Sequence, residues 1–147
     1  MEIKPGIGIS ILTFGSSMAD AEKAFGKPEE IASLNEIEEY QSIVWHYWEK
    51  GFSLFFDEQK GQEFCCVEIE HPETTMWGSL IFKLKEKEII ELFKAKGIAR
   101  YDSETHEWGE KRVSFDEVNI DLYFENNKLV SVNYGKIAAT EPLILSN

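Results

Sequence analysis

The sequence predicts an α+β domain: an antiparallel sheet of about eight strands in two pseudo-repeated halves, with a main helix from each half packed on one face. Three observations carry this expectation. Short runs alternate apolar and polar residues between Gly, Asn and Asp breaks. Two stretches carry apolar residues at i, i+3 and i+4 instead, and the second half of the chain repeats the first at a fixed offset. A length of 147 residues fits one domain, 1–147, and a chain of this size buries roughly 68–70% of its unfolded surface, enough for a core without staples.

The offset is 68 residues, and the pseudo-repeats run 7–71 and 76–136. It pairs Leu12 with Leu80, Phe14 with Phe82, Phe25 with Phe93, Tyr40 with Trp108 and Tyr47 with Phe115. It then pairs Phe52, Leu54, Phe55 and Phe56 with Ile120, Leu122, Tyr123 and Phe124. A shift of three residues realigns Phe64-Cys-Cys-Val67 with Leu129-Val-Ser-Val132, which places the length change in a hairpin turn.

The first half opens on alternating residues from Ile7 to Phe14, a strand. Ser17-Met-Ala-Asp20 has capping-box spacing, Gly26 suits a left-handed C′ position, and Pro28 forbids continuation, so a short helix lies between. Glu29 to Glu39 reads as a second short helix. Strands follow near Ile43–Trp48, Phe52–Phe56 and Phe64–Glu70, divided by Glu49-Lys-Gly51 and Asp57-Glu-Gln-Lys-Gly61. After the connection His71-Pro-Glu-Thr-Thr75 the plan repeats: a strand near Ser79–Leu84, a helix near Glu86–Lys96 ending at Gly97, then strands near Arg112–Phe115, Ile120–Phe124 and Leu129–Tyr134, with Asn126-Asn127 as a tight turn.

Strand parity divides two faces. Trp45, Tyr47, Phe52, Leu54, Phe56, Val113, Phe115, Ile120, Leu122 and Phe124 should meet the helix stripes, Met18, Ala21 and Phe25 in one half and Ile89, Leu92 and Phe93 in the other. The opposite face then carries His46, Trp48, Phe55, Phe64, Cys66, Glu68, Asp121, Tyr123, Leu129 and Asn133. A solvated sheet face normally alternates to polar residues, so this aromatic content asks for cover or a partner. The apolar tail Pro142-Leu-Ile-Leu145 and a second subunit are two covers. Use as a binding surface is the third reading, with Trp48, Phe55 and Tyr123 as anchors and Glu68 and Asp121 as charged contacts.

Charge narrows the partner. Twenty-seven acidic against 15 basic residues give a net charge of −12, which repels nucleic acid and anionic membranes and suits a basic protein. The stretch from Lys83 to Arg100 is an exception at +3. No apolar run approaches the roughly 18–20 residues of a membrane helix, and the start lacks the regions of a signal peptide; a cytoplasmic protein is the expectation, unless a leader has been removed.

Catalytic signatures are absent from the pattern. With so many carboxylates, acid pairs such as Asp57-Glu58 carry no information, and His46, His71 and His106 lie apart, without the spacing of a zinc site. Cys65 and Cys66 are neighbours that should point to opposite faces, Cys65 into the core, and both should be free thiols. Gly6-Ile-Gly8 lacks the context of a dinucleotide loop. The expectation is a non-enzymatic protein with no cofactor and no metal; a small-ligand protein or an enzyme of unknown chemistry is the alternative, and would enclose a pocket of roughly 300–1,000 Å³.

The segment Gly6-Ile-Gly-Ile-Ser-Ile-Leu-Thr-Phe-Gly15, followed by a helix to Phe25-Gly-Lys-Pro28, resembles the β-lactamase-inhibitor-protein fold and the outer-membrane-assembly small lipoprotein domain. There a strand, a short helix, a Leu-Gly-x-Pro-like stop and a meander recur, and tandem copies are typical of the inhibitor branch. In the second copy here the stop is Phe93-Lys-Ala-Lys-Gly97, without proline. The resemblance implies a sheet face that inhibits or escorts a protein partner, as in bacterial immunity-type proteins. Self-association stays open.

Overall fold

The computed structural model describes residues 1–37, 40–58 and 61–137. Its frame is an eight-stranded antiparallel sheet, beside which lies a five-stranded mixed sheet of very short strands. In chain order the elements are β1 (Glu2–Lys4), β2 (Gly8–Ile9), β3 (Leu12–Thr13), α1 (Met18–Phe25), β4 (Glu30–Ile37), β5 (Tyr40–Tyr47), β6 (Phe52–Asp57) and β7 (Glu63–Ile69). There follow β8 (Thr75–Met76), β9 (Ser79–Leu80), a 3₁₀ turn (Ile81–Lys83), α2 (Glu86–Ala95), β10 (Asp102–Thr105), β11 (Glu110–Phe115), β12 (Ile120–Glu125) and β13 (Lys128–Gly135). The large sheet runs β10-β11-β12-β13-β7-β6-β5-β4, so two meanders meet where β13 pairs with β7.

Both helices end as the local chemistry dictates. Ser17 accepts from the Asp20 amide at 3.1 Å while the Asp20 carboxylate faces the Ser17 amide, and Gly26 takes φ 84° at the other end. At α2 the Lys85 amide donates to Glu88 and the Glu86 amide to Asn127 Oδ1, so its first turn is capped from within the chain. Phe25 packs edge-on against Tyr47 and Phe52, and Phe93 lies flat on Phe115 with ring centres 3.9 Å apart. Those partners share the parity of the buried set, which includes Leu54, Phe56, Val113, Ile120, Leu122 and Phe124. The Tyr47 hydroxyl donates to the Gly26 carbonyl at 2.8 Å, and burial first, then Glu22, pushes its pKa up to about 12. Tyr134 reaches out of the large sheet to donate to the Gly8 carbonyl of the small one at 3.0 Å.

Several expectations need correction. The acidic segment expected as a second short helix is strand β4, hydrogen-bonded along β5. The strand expected over Ile7–Phe14 is a tight β2–β3 hairpin: Ile9 pairs with Leu12, and a Cβ on Gly8 would run into the Leu12 carbonyl. With Ser79–Leu80 it belongs to the small sheet, where β1 and β8 pair parallel. The large sheet still has eight strands, because β4 and β10 take the vacated places.

Phe64 and Leu129, expected on the open face, are core residues at 0% and 1% exposure. The cause is a bulge in each meander. Phe55 pairs with Cys66 but Phe56 with Phe64, leaving Cys65 extra; Tyr123 pairs with Ser131 but Phe124 with Leu129, leaving Val130 extra. One inserted residue inverts parity for everything beyond it. Cys65 is therefore not a core residue: it is half-buried, and its thiol donates to the Phe55 carbonyl at 3.4 Å. Both cysteines are free thiols. The tail Pro142–Leu145, Glu38-Glu39 and the turn residues Gln59-Lys60 lie outside the described residues.

Candidate functional site

On the face opposite the one where Phe93 meets Phe115 and Phe25 meets Phe52, register places one polar residue from every strand in a single row. Reading across the sheet it runs Asp102, Ser114, Asp121, Asn133, Glu68, Ser53, His46 and Glu30, each the direct partner of the next. On one side of the row lie Gly135, Cys66, Phe55 and Val44, again in register. On the other side lie Glu104, Arg112, Tyr123 and Ser131.

Some of these groups are satisfied within the chain. His46 Nδ1 and Ser53 Oγ are 2.7 Å apart, the Trp48 indole N–H donates to Glu30 at 3.1 Å, and the Arg112 guanidinium donates to Glu104 at 3.2 Å. His46 and Trp48 stack, their centres 4.1 Å apart and planes 11° from parallel. Others are not. Asn133 Oδ1, Ser114 Oγ and Arg112 Nε are buried without a hydrogen-bond partner, and each such atom costs roughly 1–3 kcal/mol unless something outside the described chain meets it.

The row also crowds carboxylates. Burial pushes the Glu68 carboxyl above its usual range, Glu70 adds to this, and His46 opposes it. Burial raises the Tyr123 phenol as well, followed by Asp121, with Arg112 acting against them. Cys65 and Cys66 act as a pair: the side-chain interaction between them lowers Cys66 and raises Cys65, and Lys136 favours the Cys66 thiolate further.

All five residues expected to bind lie on this face, spread rather than clustered. Trp48, 54% exposed, caps the β5 end, and shares a slight depression with Glu68. Phe55 and Asp121 share another with Cys66, Asn119, Asn133 and Gly135, about 260 Å³ in volume. Tyr123 stands on β12, four strands from β5, or roughly 19 Å at the usual strand spacing. Sequence reasoning missed Asn133, Ser114, Arg112 and Gly135 as site residues; a glycine ending an otherwise filled strand was the one available signal.

Elsewhere an opening of about 420 Å³ lies among Phe82, Lys83, Leu84, Lys85, Asn126, Asn127 and Lys128. Its lysines are exposed at the rim, and Asn127 is already spent on the Glu86 amide. Among the described residues no three His, Cys, Asp or Glu gather as a metal site requires, and no helix is long and apolar enough to cross a membrane. Fold and face together define an α+β protein with a polar-and-aromatic sheet surface that no other element covers among the described residues. No protein family, curated protein or solved structure matches this chain.

Proposed function

We propose that this protein is a non-enzymatic binding module of inhibitor or immunity type, which holds a basic protein partner on the helix-free face of its large sheet. Trp48, Phe55 and Tyr123 are the anchors; Glu68 and Asp121 are the charged contacts. The observation that carries this reading is the polar row with its buried, unpaired atoms, flanked by half-buried or exposed aromatic rings. Rigid aromatic side chains concentrate interface energy, and carboxylates beside them steer a cationic partner and speed its encounter at low salt.

The architecture behind it is two related halves, 7–71 and 76–136, each giving one helix to the same sheet face. The matched bulges at Cys65 and Val130 support that relation, since both halves break parity at the same place. The setting is the cytoplasm, with no nucleic acid, membrane or cofactor involved. The alternative, a small-ligand protein or enzyme, draws less support: the depressions along this face are about 270 Å³, 260 Å³ and 30 Å³, under the roughly 300–1,000 Å³ of ligand sites, and the 420 Å³ opening elsewhere is rimmed by exposed lysines.

The test is co-purification of a partner from the native host, then Trp48→Ala and Tyr123→Ala with folding checked by circular dichroism. Each should weaken binding by about 2 kcal/mol, near 30-fold. Two folded variants that bind like the parent would refute the reading.

A further inference from the structure

Resting on the binding face just described, we propose that the depression floored by Gly135 is the seat of a basic side chain, a lysine or arginine from the protein partner. The depression exists because residue 135 has no side chain. Gly135 is the cross-strand partner of Cys66, and a Cβ placed there would come within 2.9 Å of Cys66 Sγ, 3.0 Å of the Cys65 carbonyl oxygen and 3.1 Å of Asn119 Nδ2. Any other residue closes the space.

What surrounds the space has the chemistry of a cation seat. The Phe55 ring forms an apolar wall that suits the stem of a long side chain and, face-on, its charged head. Asp121 supplies a carboxylate, and Asn133, next in the row, brings an amide oxygen with no hydrogen-bond partner. Glu68 follows Asn133 on the adjoining strand, so a cation bound over Asn133 is flanked by carboxylates on both sides. Among the described residues no lysine or arginine lines the depression. Lys136, the nearest basic residue in sequence, is exposed, and its carbonyl is held by the Asn119 amide. At about 260 Å³ the volume suits one side chain rather than a cofactor. Once the Asn133 side chain turns its buried oxygen toward the depression, an incoming N–H donor supplies the hydrogen bond it lacks, and a charged donor makes that bond stronger.

Cys66 on the rim allows a test without knowing the partner. In the Cys65→Ser protein, Cys66 is the single thiol. Its thiolate attacks one sulfur of a small disulfide, forms a mixed disulfide and expels the other half as a thiolate. Cystamine delivers an ammonium by this route, and bis(2-hydroxyethyl) disulfide a neutral hydroxyl of similar length. The two are compared by mass spectrometry at equilibrium with their own thiols, in about 1 M salt, where the Debye length is about 3 Å and the net charge is screened.

The expected result is a preference for the cationic adduct of about tenfold or more, the size of one charge-assisted hydrogen bond. Asp121→Asn should abolish it, while Glu125→Gln, the same charge change on the same strand but exposed at its end, should leave it intact. Equal trapping of the two disulfides, or equal losses in the two variants, would overturn the proposal. This outcome is separable from failure of the interface: a lost cation preference beside intact effects of Trp48→Ala and Tyr123→Ala on partner binding removes only the seat.

Discussion

The two faces of the large sheet are built from the same strands, residue by residue, and end in opposite states. On the covered face Phe93 stacks on Phe115, Phe25 meets Phe52 edge-on, and Phe64 packs at a tilt against both Phe14 and Phe56, so these inward rings meet one another. On the open face three buried polar atoms lack partners among the described residues, and the Glu68 carboxyl is held above its usual range. Among the described residues, the chain pairs its inward rings on one face and leaves polar atoms without hydrogen-bond partners on the other.

The largest expected effect lies on the covered face. Phe115→Ala should cost about 3–5 kcal/mol in denaturant unfolding, as loss of a fully buried ring does, whereas Trp48→Ala should stay within about 0.5 kcal/mol. A large loss at Trp48 would mean that the open face is structural. Leu129→Ala comes next, at about 2–5 kcal/mol, because the bulge turns Leu129 into the core. A near-neutral Leu129→Ala would show that the simple parity of the strand holds after all. Tyr134→Phe, which leaves the Gly8 carbonyl without its donor, should cost about 1–2 kcal/mol.

That Leu129 effect bears on how far the sequence could be read. Apolar residues fall at 64, 67 and 69 and again at 129, 132 and 134, a step of three then two. Read at strict period 2 it sends Phe64 and Leu129 outward; repeated in both halves, the odd step is a bulge signal. The caps of α1, the Asn126-Asn127 turn and the parity of β5, β6, β11 and β12 were legible because local chemistry sets them. Strand β4 was not, since Ile31, Leu34 and Ile37 recur every third residue and mimic a helix stripe. Strand β10 is exposed throughout and pairs at the sheet edge through its backbone and the Arg112–Glu104 contact, so no apolar alternation marks it. Of the candidate site, Phe55, Glu68, Asp121 and Tyr123 lie on the sheet face that strand parity assigned to them, with Trp48 beside His46 at its edge. Asn133 and Gly135 matter through register and a missing side chain, which emerge only once β13 is set against β7.

The smallest effect has a defined sign. A carboxyl whose pKa is raised by folding adds stability below its ordinary range and loses it as pH rises through the raised value. Glu68→Gln should therefore be more stable than the parent at neutral pH, with the gap shrinking as pH falls into the acid range, measured by urea unfolding across that range. A variant less stable at neutral pH would mean that the Glu68 charge is already compensated within the chain.

The central claim is that the open face is where a partner sits, and hydroxyl-radical footprinting of the protein with and without its co-purified partner tests it directly. Trp48, Tyr123 and Phe55 should lose reactivity in the complex, while Trp108, 74% exposed in the loop before β11, keeps its own. Protection of Trp108 with Trp48 and Tyr123 unchanged would place the partner elsewhere and contradict the account.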